Sequence, residues 1–151
     1  MTGARAMQNS RRASAFRPRS DRDYIALNKP FNVLSQFTQS DQTQKRTLAE
    51  FSLPKDVYPV GRLDYDSEGL LIVSNDAALN SALLNPTNRH FRTYLAQIER
   101  IPDEQAIQQL ITGVMLDGIR TLPARARLLE SEPPLLERDV PIRFRKSVPT
   151  C

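Results

Sequence analysis

Cysteine is almost absent. The 151 residues hold one, Cys151, at the last position, so no disulfide can form within the chain. A reducing compartment fits that usage. Histidine is as scarce, with His90 alone. A zinc centre of the Cys/His kind therefore lacks ligands. A Ser-His-Asp or Cys-His nucleophile would have to draw on His90, and no nucleophile elbow lies near it. His90 reads as a surface or packing residue. Glycine is sparse too: Gly3, Gly61, Gly69, Gly113 and Gly118 are spaced as neither a dinucleotide fingerprint nor a P-loop. No nicotinamide, flavin or nucleotide triphosphate cofactor is expected. No run approaches 18 apolar residues, so no membrane-spanning helix is expected. The basic N-terminus lacks the apolar segment of a secretory signal, and a cytoplasmic location is expected.

What is present supports one folded domain. The chain is 40% hydrophobic, enough to bury a core at this length. Its formal net charge is +4, unevenly placed. Residues 1–22 carry Arg5, Arg11, Arg12, Arg17, Arg19 and Arg22 against Asp21 alone, which leaves the remainder close to neutral. They show no apolar period, and a disordered basic arm is expected there, with order starting at Asp23. Such an arm attracts a polyanion by releasing its counterions, and composition alone equally allows a solubilising tail. Nothing in the sequence sets an oligomeric state, and a monomer is expected.

Hydrophobic periodicity and turn residues divide 23–151 into short elements. Tyr24 to Leu27 reads as a strand ended by the turn Asn28-Lys29-Pro30, and Phe31 to Phe37 as a second extended piece. Thr47 and Glu50 have capping-box spacing, so a short helix starts there and Pro54 stops it. Asn75-Asp76 caps a helix over Ala77 to Leu84, which Asn85-Pro86 ends. Thr93 to Glu99 alternates as a strand. Pro102-Asp103 opens a helix with Ala106, Ile107, Leu110 and Ile111 as one stripe, closed by Gly113. Val114 to Leu116, a turn at Asp117-Gly118, and strands over Ala124 to Glu130 and Ile142 to Lys146 complete the reading. Short strands mixed with short helices give an α+β class with a mainly antiparallel mixed sheet and short flanking helices.

The chemistry concentrates between Gly61 and Asp76. Arg62, Asp64, Asp66 and Glu68 stand at every second position, and an extended backbone puts them on one side. Leu70 to Val73 follows as an apolar run that reads as a strand buried on both faces. Three roles are open to the carboxylates: a paired acid and base, oxygen ligands for a hard divalent cation, or a lone nucleophile beside Arg62. Plain loop solvation is the fourth.

Gly61-Arg62-Leu63-Asp64, followed by Ser67-Glu68-Gly69-Leu70-Leu71, resembles the catalytic motif of the RsuA family of pseudouridine synthases. Asn28-Lys29-Pro30, Arg92-Thr93-Tyr94-Leu95-Ala96 and the segment Val114 to Ala124 resemble three further motifs of that family, in order. The likeness is greatest to the branch that acts on large-subunit ribosomal RNA and carries no separate S4 RNA-binding domain. The resemblance implies a pseudouridine synthase fold over 23–151 and an isomerase of ribosomal RNA without cofactor or metal. Asp64 would be the catalytic aspartate and Tyr94 would stack on the flipped uracil. Arg62 would reach into the RNA, and Lys29 and Pro30 would support the site from the neighbouring strand. The alternative is a non-catalytic RNA-binding relic of such an enzyme.

The family pattern continues past position 151, with a strand and then an Asn-Arg-Gln-x-Arg type of motif whose basic residue pairs with the catalytic aspartate. The expectation is thus an N-terminal portion of the catalytic domain, with low or absent turnover and an open sheet edge that favours aggregation.

Overall fold

The first strand, β1 (Tyr24–Lys29), pairs antiparallel along its whole length with β5 (Gly69–Ser74), from Tyr24 opposite Ser74 to Lys29 opposite Gly69. The computed structural model describes residues 16–39, 44–131, 133–135, 137–138 and 140–141. The chain forms two compact units, Met1–Phe91 and Arg92–Cys151.

In the first unit β5 is the central strand of three, in the order β1-β5-β4, with β4 at Tyr58–Pro59. Pro59 brings no N–H to the ladder, which an edge strand tolerates. A second, parallel ladder joins β2 (Val33–Leu34) to β3 (Arg46–Thr47). Val33, Leu48, Val57, Leu71 and Val73 form the buried core, with Ile25, Leu27, Phe37, Phe51, Leu53 and Leu63 packed against it. Leu71 and Val73 point into that core while Leu70 is 68% exposed. The apolar run is therefore covered on one face only, which corrects the expectation of a strand buried on both. In an antiparallel sheet one covered face is enough.

Two other local expectations change. Of Phe31 to Phe37 only Val33–Leu34 is strand, because Asn32 turns the chain at φ 58° and bends follow at 35–37. The short helix is one 3-10 turn, Leu48–Glu50. Thr47 caps it by accepting from the Ala49 N–H at 3.3 Å, but Glu50 takes the Arg46 guanidinium at 2.8 Å.

Helix α1 (Ala77–Leu84) follows β5 as the sequence indicates. Asp76 caps it, accepting from the Ala78 N–H at 2.8 Å through one carboxylate oxygen. Its other oxygen accepts from the Tyr24 hydroxyl at 2.6 Å. That bond is the main cause holding the Asp76 carboxyl below its usual range. Burial first, and then Asp76, push the Tyr24 hydroxyl up. Phe16 stands edge-on to Tyr24, with ring centres 5.8 Å apart, and the Arg19 N–H donates to the Tyr24 oxygen at 2.9 Å. The preceding residues of the basic arm lie outside the described structure.

The second unit holds α2 (Glu104–Thr112) and the hairpin of β6 (Met115–Leu116) and β7 (Ile119–Arg120). Asp103 caps α2 through the Ala106 N–H at 2.7 Å, and Gly113 ends it. Asp117 and Gly118 turn the hairpin with φ of 49° and 80°, the left-handed pair a two-residue hairpin needs. Thr121 links hairpin to helix end: its N–H donates to the Val114 carbonyl at 2.8 Å and its hydroxyl accepts from the Val114 N–H at 3.0 Å.

Thr93 to Glu99 and Ala124 to Glu130 are not strands. Each keeps only one isolated bridge residue, Gln97 and Leu129. Alternation assigns sides to residues, but a strand also needs a neighbouring backbone to satisfy its N–H and C=O groups. The strand expected at Ile142 to Lys146 lies outside the described residues. The class is α+β, but no single sheet is mixed among the described residues: the three-stranded sheet and the β6–β7 hairpin are antiparallel, and the parallel β2–β3 ladder stands apart from them. Among the described residues no helix is long and apolar enough to cross a membrane.

Candidate active site

Residues 61–68 form an extended loop that runs straight into β5. Glycines bracket it. Gly61 has φ +84°, and a Cβ there would stand 3.1 Å from the Leu84 side chain at the end of α1. Gly69, with φ +124°, redirects the chain into the strand. Between them Leu63, Tyr65 and Ser67 are half-buried while Arg62, Asp64, Asp66 and Glu68 are exposed. The four charges thus share the solvent side, as their spacing indicates. The alternation survives although 65–66 is a turn, closed by the Ser67 N–H donating to the Asp64 carbonyl at 3.2 Å.

Two contacts hold this loop from the half-buried side. The Ser35 hydroxyl donates to the Leu63 carbonyl at 2.8 Å and accepts from the Leu63 N–H at 3.0 Å. The Lys45 ammonium lies 4.6 Å from the centre of the Tyr65 ring, a cation–π contact between two neighbours of the acidic turn. Neither Ser35 nor Lys45 stands out from motif spacing. Ser35 did leave a trace: it is the polar member of an otherwise apolar alternation, Val33, Ser35, Phe37. A buried hydroxyl at an apolar position needs a partner.

Lys29 closes β1 opposite Gly69 and has no exposed surface. Its ammonium donates to the Val33 carbonyl at 2.7 Å and the Pro30 carbonyl at 3.0 Å. Burial lowers its pKa from 10.5, and the carboxylates of Asp66, Glu68 and Asp64 work against that fall. A buried cation therefore stands within electrostatic reach of all three acids on the loop. Pro30 contributes its carbonyl and is half-buried.

Of the residues singled out in the sequence, Lys29, Pro30, Arg62 and Asp64 belong to the first unit. Tyr94 belongs to the second, lies outside any strand and is 70% exposed. Among the described residues no three His, Cys, Asp or Glu side chains converge as a metal site, so Asp64, Asp66 and Glu68 share a side without forming a cage.

The acidic loop, the central strand it enters and the buried Lys29 all lie within the stretch that the family comparison matches. The model of the RNA pseudouridylate synthase family matches residues 23–137, and the chain belongs to that family. Among individual relatives, the ribosomal large subunit pseudouridine synthase E of Xanthomonas axonopodis pv. citri is 50% identical over 125 residues, covering 83% of this chain and 66% of that protein. Its namesake in Vibrio parahaemolyticus is 42% identical over 139 residues, covering 90% of this chain and 57% of that protein. The ribosomal large subunit pseudouridine synthase B of Bacillus subtilis is 35% identical over 108 residues, covering 70% of this chain and 43% of that protein. The chain therefore spans about two thirds or less of the length of these relatives. A crystal structure of a pseudouridylate synthase superposes with a TM-score of 0.56 at 21% identity, covering 72% of this chain and 46% of that one, a likeness of fold.

Proposed function

We propose that the chain acts as an RNA pseudouridine synthase on ribosomal RNA, of the large subunit by its likeness to the named relatives, with Asp64 as the reacting carboxylate. The reading rests above all on one observation. Asp64 is exposed on a turn whose backbone is held on both sides of it, by Ser35 at Leu63 and by the Ser67 N–H at its own carbonyl. A carboxylate so placed reaches a substrate without giving up its position.

The reaction conserves atoms. The bond from ribose C1′ to uracil N1 breaks, the base turns, and C1′ bonds to C5. The proton on C5 leaves and N1 gains one. No electrons enter or leave, so the chemistry requires positioning and charge rather than a redox group. A uridine stacked in a helix is out of reach and must be turned outward. In this reading the Arg62 guanidinium and the Tyr94 ring replace lost stacking, since aromatic faces and arginine both hold unpaired bases. Lys29, the last residue of β1, and Pro30 just after it support the loop, and the buried ammonium brings a positive charge within electrostatic reach of its carboxylates.

Release of tritium from RNA carrying uridine labelled at C5 follows the departing proton. The 151-residue chain is expected to release label from unmodified large-subunit RNA, slowly. Asp64→Asn should stop release while RNA affinity stays within about two-fold, because the change is isosteric and removes only charge. Equal release by both proteins would refute the role of Asp64. RNA binding without release in either protein would favour a non-catalytic RNA-binding module.

A further inference from the structure

Asp64 is exposed, and an exposed side chain on a loop is as well placed as its backbone. Its own hydrogen bonding inside the loop is one contact, the 3.2 Å bond from the Ser67 N–H to its carbonyl. The neighbour on its other side, Leu63, has no strand partner. Both of its backbone groups go instead to one side chain, the Ser35 hydroxyl, at 2.8 and 3.0 Å. A hydroxyl has one donor and two acceptor positions, so it satisfies a peptide N–H and C=O together as a β-bridge would.

Ser35 is itself fixed. It is 4% exposed and follows β2, which pairs with β3. The next residue, Gln36, donates its N–H to the Leu34 carbonyl at 2.8 Å and accepts from the Leu48 N–H at 2.8 Å, and Leu48 is a fully buried core residue. A continuous path of short contacts thus runs from the core through Ser35 to the peptide that precedes Asp64.

We propose that Ser35 is a positioning residue for Asp64: its hydroxyl clamps Leu63 by both backbone groups and fixes the point from which the carboxylate projects. The inference rests on the proposed function for its catalytic consequence, but the clamp has a signature of its own. Ser35→Ala removes the hydroxyl and leaves a peptide N–H and C=O without partner. Ser35→Thr keeps the hydroxyl.

Two measurements on the full 151-residue chain test this. By hydrogen exchange, the Leu63 amide should be protected in the native chain and exchange about ten-fold faster or more in Ser35→Ala, consistent with the loss of one hydrogen bond. The β5 amides of Ile72 and Val73 should hold, and Ser35→Thr should restore the protection. By single-turnover tritium release, Ser35→Ala should be slower by up to about a hundred-fold, the scale of loss that a displacement of a reacting group by roughly 1 Å produces. The RNA concentration for half-saturation should not change, and Ser35→Thr should recover most of the rate. A Leu63 amide in Ser35→Ala that exchanges as in the native chain overturns the proposal, whatever the turnover. So does a loss of rate matched by an equal loss of RNA affinity. If Ser35→Ala does not fold, the native chain decides: a Leu63 amide no better protected than its neighbours at Arg62 and Asp64 overturns the clamp. Turnover that survives Asp64→Asn condemns the functional reading instead and leaves the exchange result standing.

Discussion

Lys29 is a fully buried ammonium, and burying a charge is costly unless partners are supplied. Here two carbonyls take two of its N–H groups, and the loop carboxylates offset part of the desolvation. The sign of its pH dependence follows. Its folded pKa lies below the unfolded value near 10.5, so between the two the unfolded chain binds more protons and stability rises with pH. Urea midpoints should show this alkaline slope in the native chain. In Lys29→Met the slope should be shallower, and equal slopes would remove the buried ammonium from the account. Asp76 behaves in the opposite range. Its folded pKa lies below the unfolded value of 3.8, so its contribution is present above that pH and lost as pH falls through the folded value. Tyr24→Phe removes the main cause. It should therefore be less stable than the native chain at neutral pH, with the gap closing in acid below 3.8. A gap that persists unchanged at low pH would contradict the latch between β1 and α1.

At the scale of elements, the loop's shape depends on its ends. Gly61→Ala combines a left-handed φ with a close approach to Leu84 and should cost about 1–3 kcal/mol. Urea denaturation followed by circular dichroism would show it, and a neutral substitution would mean the loop enters differently. The elements legible in the sequence are those that carry their own stop signals. Asp76 and Asn85 bound α1, Asp103 and Gly113 bound α2, and Asp117-Gly118 makes the β6–β7 turn. The segments that differ from their sequence pattern depend on partners. Thr93 to Glu99 and Ala124 to Glu130 have the alternation of strands, but alternation cannot say whether a second backbone lies alongside. Spacing makes Glu50 a capping partner, but Arg46 draws it off, a competition that spacing does not reveal. β5 was legible as a strand, yet its run of four apolar residues hid that Leu70 faces outward.

For the molecule as a whole, the sequence already contained the family through Gly61 to Leu71, the lysine–proline turn and the later segments. The charge pattern of the loop was legible because alternation places all four charges on one side even through a turn. What organises those charges was not. Ser35 lies 28 positions from Leu63, Lys45 reaches Tyr65 across 20, and Lys29 meets the loop through strand register. Contacts that distant in sequence are set by tertiary packing and leave little local signal. The measurement that bears most directly on the whole is tritium release from C5-labelled large-subunit RNA, with the 151-residue chain and Asp64→Asn assayed side by side. Release that depends on the carboxylate, with RNA affinity retained in the variant, is expected. Release that proceeds equally without it would contradict the central role of Asp64.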